Sequence, residues 1–403
     1  DLYLVDVTTG ERELLKENPG YAGWLIDNTL EPRFGVIPTP DGGGNIVDFD
    51  GEIFAVIPPE DFLTTNALGF NKSNDAVYMI DSRGRDKAAL TVVSLESGDA
   101  ELLAANDKAD ISGILTDSRT YEPIAYNADY LKSAWYAIDD EAAGDLEALT
   151  AELGGGLSIV ATTVDMSKWI IHEDATDRSG AYYIYDRGDR SVTKMLDQRG
   201  ALADYTLAPM QALEIPSRDG LTLVSYLTLP VGSDPDGDGR PDEPLPMMLW
   251  VHGGPWARDT YGYDTVHQWL ANRGYAVLSV NYRGSTGFGK EFTRAAIKEF
   301  AGKMHDDLID GVQWAIDEGV ADPEKVAIGG GSYGGYATLT GVAFTPETFA
   351  CGVDIVGPSS LVTLVESFPE YWKPFLQGTW YTYVGDPANP EDREDMLARS
   401  AIS

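Results

Sequence analysis

The sequence predicts two regions of different class: an all-β repeat region over residues 1–205 and a parallel α/β region over residues 206–403. Three observations carry this. The first half repeats itself with a period near 90 residues, the second half alternates apolar strands with helices, and a glycine-rich turn joins a strand to a helix at residues 330–336. A length of 403 suits two or three domains, because a single core seldom grows past about 300 residues. With 43% hydrophobic and 10% aromatic residues the chain can bury a large core, which excludes wholesale disorder.

The repeat is direct. Residues 2–10 (LYLVDVTTG) followed by Leu14 and Leu15 are echoed by residues 90–98 (LTVVSLESG) followed by Leu102 and Leu103, at an offset of 88. Gly23, Leu25 and Asp27 return as Gly113, Leu115 and Asp117 at offset 90, and Glu31 and Pro32 as Glu122 and Pro123 at 91. A weaker third echo joins residues 77–81 to 169–173, with 182–186 as the next strand. Short alternating runs closed by Gly/Asp turns are β-structure. Two hairpins per period make a unit of about 45 residues, the size of a propeller blade. About four such units fit before residue 206, so a partial β-propeller is expected; chance similarity within a β-sandwich is the competing reading. Residues 141–153 (EAAGDLEALTAEL) read as a helical insertion between strands.

From about residue 211 the texture changes. Residues 213–229 form a hairpin pattern, then strands at 247–251, 276–282 and 326–330 alternate with helices near 265–273, 300–319 and 336–344. Strand–helix alternation implies a parallel sheet with both faces covered, whose strands are short apolar runs. The boundary falls at residues 200–212.

Charge narrows the partners. Twenty-nine basic against 65 acidic residues leave −36, which excludes nucleic acid and anionic membrane surfaces, both polyanions. Such a surface suits salty water. The one cysteine, Cys351, excludes an internal disulfide and a thiolate zinc cluster, and its apolar neighbours predict a small core residue. The longest uncharged stretch, residues 326–346, holds six glycines and reads as strand–turn–helix, so no membrane span is expected. The chain opens at Asp1 on a strand pattern with neither initiator Met nor signal peptide, and the expectation is that it is part of a longer protein.

The strongest chemical signal is GGSYGGY at residues 330–336, between the strand at 326–330 and the following helix. This is G-x-S-x-G in a strand-to-helix turn, the setting of an exposed nucleophile in an α/β-hydrolase fold. Glycines around Ser332 let the strained turn close and a substrate approach, and the helix N-terminus offers N–H groups to a developing anion. The second signal is His252-Gly253-Gly254-Pro255 after an apolar strand. A hydrolase needs a second N–H for its oxyanion hole from this loop; Gly254 can present one and Tyr333 the other. His252 sits in the oxyanion loop rather than last in chain order, so it reads as a structural histidine.

Together GGSYGGY, HGGPWARD (residues 252–259) and NYRGSTGFG (residues 281–289) resemble the prolyl oligopeptidase family of serine peptidases, most closely its acylaminoacyl-peptidase and dipeptidyl-aminopeptidase-like branch. The resemblance implies a propeller that screens access to an α/β-hydrolase domain and hydrolysis of short peptides. It implies Ser332 as nucleophile and Gly254 and Tyr333 as oxyanion donors, with no cofactor for catalysis. NYRGSTGFG is carried over only as a structural loop near the site. One departure is large. The fold's order is Ser, then Asp/Glu, then His, yet no histidine follows Ser332; His172, His252, His267 and His305 all precede it. The expectation is a hydrolase domain truncated at its C-terminus, with the Asp and His beyond Ser403 and the isolated chain nearly inert.

A third signal is DPDGDGRPD at residues 234–242. Asp234, Asp236, Asp238 and Asp242 match the first nine positions of an EF-hand-like loop, with Leu245 where the acidic twelfth ligand belongs, so weak Ca²⁺ binding is expected. A solvated acidic turn is the alternative. Of the aromatic group Phe368, Tyr371, Trp372, Phe375, Trp380, Tyr381 and Tyr383, core packing is expected for each. The functional expectation is a serine peptidase acting on short peptides. A carboxylesterase shares the G-x-S-x-G turn, and a non-catalytic scaffold fits if the gene ends at Ser403. An oligomer is compatible with the sequence, and the acidic surface and acidic loop favour a periplasmic or extracellular location.

Overall fold

The computed structural model describes residues 1–154, 156–173 and 175–403. The first region is a succession of antiparallel meanders, each strand pairing with the next. β1 (Leu2–Val5) and β2 (Arg12–Lys16) form a hairpin. β3 (Gly23–Ile26), β4 (Pro32–Pro38), β5 (Gly44–Val47) and β6 (Ile53–Ile57) make one four-stranded sheet. β7 (Asn66–Phe70), β8 (Ala76–Asp81), β9 (Ala89–Ser94) and β10 (Ala100–Ala104) make the next. β11 (Ile111–Thr116), β12 (Pro123–Asp129) and β13 (Ser133–Ala137) give three strands, and α1 (Asp140–Leu153) follows where the helical insertion was expected. Asp139 caps α1, its side chain accepting from the Ala142 N–H at 2.6 Å. β14 (Leu157–Thr162), β15 (Lys168–Glu173), β16 (Ala181–Asp186) and β17 (Ser191–Asp197) complete the series.

The sequence repeat is a structural repeat, down to single hydrogen bonds. Val5 pairs with Arg12 and Leu4 with Glu13 in the first hairpin; Val93 pairs with Ala100 and Val92 with Glu101 in β9–β10. The Gly10 N–H donates to the Asp6 carbonyl at 2.8 Å, and the Gly98 N–H to the Ser94 carbonyl at 2.9 Å, both glycines at a φ near +75° (75° and 74°). The weaker echo holds too, since Val77 faces Val93 as Trp169 faces Tyr185. The two hairpins lie in different sheets, with the β3–β6 sheet between them in chain order.

The second region is one six-stranded mixed sheet. Its strands are β18 (Met210–Pro216), β19 (Thr222–Thr228), β20 (Leu245–Val251), β21 (Ala276–Val280), β22 (Ala321–Gly331) and β23 (Cys351–Ile355), ordered β18-β19-β21-β20-β22-β23. β18 and β19 are antiparallel to their neighbours, and β21, β20, β22 and β23 run parallel. The connections carry α2 (Thr265–Ala271), α3 (Lys290–Arg294), α4 (Lys303–Asp317) and α5 (Tyr333–Phe344). Beyond β23 come α6 (Leu361–Glu366), α7 (Lys373–Leu376) and α8 (Pro390–Ala398). All five residues of β21 are buried, because the central strand has packing on both faces.

Three expectations need correction. α5 begins at Tyr333 instead of Tyr336, because the helix starts immediately after the turn at Ser332. Cys351, expected in the core, is exposed here with all five residues of β23, the last strand of the sheet that residues 1–403 form. Of the aromatic group, Phe368, Trp380, Tyr381 and Tyr383 do pack into the main core, but Tyr371 and Trp372 lie on the surface. No helix among the described residues is long and apolar enough to cross a membrane.

Candidate active site

Ser332 stands between the end of β22 and the start of α5 with φ +56° and ψ −115°, outside the comfortable backbone regions for a residue with a Cβ. Its N–H donates to the Ile355 carbonyl at 2.9 Å, and its carbonyl accepts from the Tyr336 N–H at 3.0 Å, so the strained turn is held from both sides. The side chain is exposed. Two glycines make this turn possible through close approach of backbones. A Cβ on Gly330 would stand 2.4 Å from the Val251 carbonyl oxygen, and one on Gly334 only 2.0 Å from it.

The same packing brings in the loop after β20. A Cβ on Gly253 would lie 3.4 Å from the Ser332 Cβ and 3.0 Å from the Gly331 carbonyl oxygen. Gly254 is exposed beside it, at φ +125°. Neither the Gly254 N–H nor the Tyr333 N–H donates a hydrogen bond among the described residues. Two free backbone donors thus flank an exposed hydroxyl, the arrangement that can stabilise negative charge growing on a carbonyl oxygen.

A stack of rings fixes both donors. His252 lies on Tyr282 with centroids 4.4 Å apart and planes 14° apart, and Tyr282 lies on Tyr333 at 5.0 Å. Burial pushes the His252 imidazole down to about 4, so it is neutral. Its Nδ1 is hydrogen-bonded to the Gly253 carbonyl at 2.8 Å and its Nε2 to the Ser285 hydroxyl at 2.9 Å, and that hydroxyl donates to the Tyr282 carbonyl at 2.7 Å. The Tyr282 hydroxyl donates to the His252 carbonyl at 3.0 Å. Burial raises the hydroxyls of Tyr282 and Tyr333 well above the ordinary tyrosine value, and both stay protonated.

The other histidines are engaged elsewhere. His267 bridges the Thr228 and Ser279 hydroxyls at 2.9 Å each. His305 is buried on α4 with Nε2 3.0 Å from the Thr345 hydroxyl, and His172 on β15 lies against Tyr182 and Gln198. No imidazole among the described residues hydrogen-bonds Ser332.

The acidic loop closes on itself. Asp234 accepts from the Gly237 and Asp238 N–H groups on one oxygen and from Gly239 on the other. Carboxylate oxygens of Asp234, Asp236 and Asp238 lie within 4.8 Å of one another, but Asp242 is not among them. Its N–H instead donates to the Ser233 carbonyl, closing the base of the loop at 2.9 Å, and the Arg240 side chain is drawn away to Glu318. The nine-residue pattern therefore supplies three convergent carboxylates instead of four.

Sequence reasoning missed two features of the site. Trp256, two residues past Gly254, meets Trp380 at 5.3 Å and Tyr383 at 5.2 Å, each near perpendicular. Asp259, at the end of the same loop, is pushed up to about 8 by burial and by the nearby Asp264 charge, against the pull of Arg258. The Trp256 contacts have no signal in spacing, because Trp380 and Tyr383 are more than 120 residues away in sequence, and what sets Asp259 apart is its burial, which the sequence does not show.

Comparison with known proteins follows the same lines. Residues 261–402 match the prolyl oligopeptidase family model. The whole chain is 46% identical to the dipeptidyl aminopeptidase BIII of Pseudoxanthomonas mexicana and 34% identical to dipeptidyl peptidase family member 6 of Caenorhabditis elegans, covering 59% and 58% of their lengths. The chain thus spans a little over half the length of these curated relatives. Among solved structures it resembles the acylaminoacyl peptidase of Pyrococcus horikoshii with a TM-score of 0.68 at 17% identity, over 99% of this chain and 61% of that one. That likeness gives the fold, propeller sheets followed by an α/β-hydrolase domain. Motifs, turn geometry and relatives agree: residues 261–402 match the prolyl oligopeptidase family, and the chain as a whole is similar to dipeptidyl peptidases of bacterial and nematode origin.

Proposed function

We propose that this chain carries the nucleophile and oxyanion site of a serine peptidase acting on short peptides. The observation that carries the reading is Ser332, an exposed hydroxyl on a turn at φ +56° with two free N–H groups beside it. Ser332 Oγ attacks the scissile carbonyl carbon and loses its proton to a base. The carbonyl oxygen takes the negative charge between the N–H groups of Gly254 and Tyr333. Collapse expels the amine, which takes a proton, and water then cleaves the acyl ester to release the acid and restore the serine. The four histidines of this sequence have other partners, and the reading assigns none of them as the base.

The propeller reading extends to a count. The β3–β6, β7–β10, β11–β13 and β14–β17 sheets correspond to about four blades, supported by the two-sheet period of the repeat. Screening of the serine by these blades restricts substrates to short peptides. Because the 46%-identical relative is a dipeptidyl aminopeptidase, dipeptidyl anilides are the first substrates to try. The test is a fluorophosphonate probe on the complete protein. Labelling should map to Ser332 and vanish in Ser332→Ala, with peptide turnover falling about 10⁴–10⁶-fold. Undiminished labelling or turnover in that variant would remove Ser332 from the mechanism.

The same reading includes a weak Ca²⁺ site at Asp234, Asp236 and Asp238, with Asp242 at most an outer contributor. No step of catalysis runs through it. Calorimetric titration should give a dissociation constant of about 10⁻⁴–10⁻³ M, lost in Asp236→Asn; no heat up to 10 mM, about tenfold above that range, would leave the loop a solvated turn.

A further inference from the structure

The loop after β21 touches both halves of the molecule. On one side it holds the oxyanion loop: the Ser285 hydroxyl is hydrogen-bonded to His252 Nε2 at 2.9 Å, and the Thr286 N–H donates to the Ala257 carbonyl at 2.9 Å. These two contacts bracket Gly253 and Gly254. On the other side the loop is clamped by the β-sheet region. Asp110, buried just before β11, donates its N–H to the Gly287 carbonyl at 3.0 Å, and its carboxylate accepts from the Gly289 N–H at 3.1 Å. The other carboxylate oxygen accepts from the Ala88 N–H at 2.7 Å, tying the clamp to β9. Lys87 Nζ donates to the Phe288 carbonyl at 2.7 Å, and Lys290 Nζ pairs with the buried Asp61 at 2.7 Å. The fit is tight, since a Cβ on Gly289 would come within 2.6 Å of Asp86 Oδ1.

We propose that Asp110 is a positioning residue for the oxyanion hole, acting through residues 285–289 on His252 and so on the Gly254 N–H. The inference rests on the peptidase reading above. Its physical basis is that a catalytic donor is effective only when preorganised, and a displacement of about 1 Å can cost two orders of magnitude. Gly254 has no side chain and no hydrogen bond of its own to hold it. Its position is inherited from the His252–Ser285 contact behind it and the Ala257–Thr286 contact ahead of it. Both of those rest on a segment whose far side is fixed by a carboxylate 144 residues upstream of Gly254, in the other region of the fold. On this view the β-sheet region does more than screen substrates: it sets the geometry at which charge is stabilised.

The experiment compares Asp110→Ala, Asp110→Asn, Ser285→Ala and the Asp110→Ala/Ser285→Ala double variant in the complete protein. Readouts are kcat and KM on a dipeptidyl anilide, the rate constant for fluorophosphonate capture at Ser332, and the fraction folded. Expected is a fall of about 10–100-fold in kcat and in capture rate for each alanine variant, below the loss from deleting a donor outright. KM should stay within about twofold, and the double variant should be no worse than the more damaged single, because both lie on one path. Asp110→Asn, which keeps an acceptor for only one of the two N–H groups, should recover part of the rate. Unchanged kcat, losses that only follow the unfolded fraction, or effects that multiply in the double variant would overturn the proposal. Failure of the underlying reading looks different, because Ser332→Ala would then keep its labelling while the Asp110 variants still behaved as a set. If Asp110→Ala does not fold, Asp110→Asn and Ser285→Ala decide the matter alone.

Discussion

At the scale of single residues, burial holds His252 and His267 well below the ordinary imidazole range, and neighbouring hydroxyls meet their ring nitrogens. His267 is the clearest case. The Thr228 hydroxyl donates to Nδ1 and Nε2–H donates to the Ser279 hydroxyl, which passes its own proton to the Trp250 carbonyl at 3.0 Å. Burial pushes this imidazole down to about 4 from an ordinary value of 6.5. A group depressed in the folded state adds stability that is fully present above the unfolded value and is lost as pH falls through the folded one. The window is therefore pH 6.5 down to 4, and the loss is on the order of 3 kcal/mol. His267→Gln should lower stability at pH 7 but flatten the fall between pH 7 and 4.5, measured as urea midpoints at both values. An equal slope in the two proteins would assign the acid sensitivity elsewhere.

At the scale of elements, the turn after β21 is locked to α4 by a buried ion pair. Arg283 donates from Nε and its backbone N–H to one Asp307 oxygen at 2.8 Å each, and from Nη2 to the other at 2.7 Å. Asp219, in the β18–β19 turn, takes the remaining guanidinium donors and is held well below the usual carboxylate range by them. Asp307 is fully buried and Arg283 nearly so. Removing one partner would leave the other charged and unmatched in the interior, which typically costs about 3–5 kcal/mol. Asp307→Ala should fall in that range by denaturant unfolding, whereas Asp219→Ala, whose partner keeps Asp307, should cost clearly less. This pair also explains why residues 281–289 needed more than local propensity: their glycine-rich turn is fixed by Arg283 at one end and by Asp110 at the other.

At the scale of the whole molecule, 65 acidic against 29 basic residues leave a surface that repels itself. Many of the bases are committed in exposed pairs such as Lys325 with Asp322, which contribute little individually. The net −36 should therefore destabilise the compact state at low ionic strength, where the Debye length is about 30 Å at 0.01 M, and much less at 1 M, where it is about 3 Å. Thermal midpoints should rise by several degrees across that range. A midpoint independent of salt would mean that the acidic residues are compensated pairwise.

Composition and pattern by themselves determined the class of each region, the period of the β-repeat and the G-x-S-x-G turn between a strand and a helix. Each depends on contacts close in sequence: a hairpin is written in about 15 residues, and a G-x-S-x-G turn in five. The repeat was legible because Val5 opposite Arg12 and Val93 opposite Ala100 are the same local solution used twice. Tertiary structure alone decided that Asp242 turns away from the other three carboxylates and that His252 faces Ser285. It alone brought Asp110 to Gly289 and Lys290 to Asp61, pairs 179 and 229 residues apart. Such contacts depend on where two sheets meet, and no periodicity in a single sequence encodes that, because the energy that selects them is shared across the whole interface between the regions.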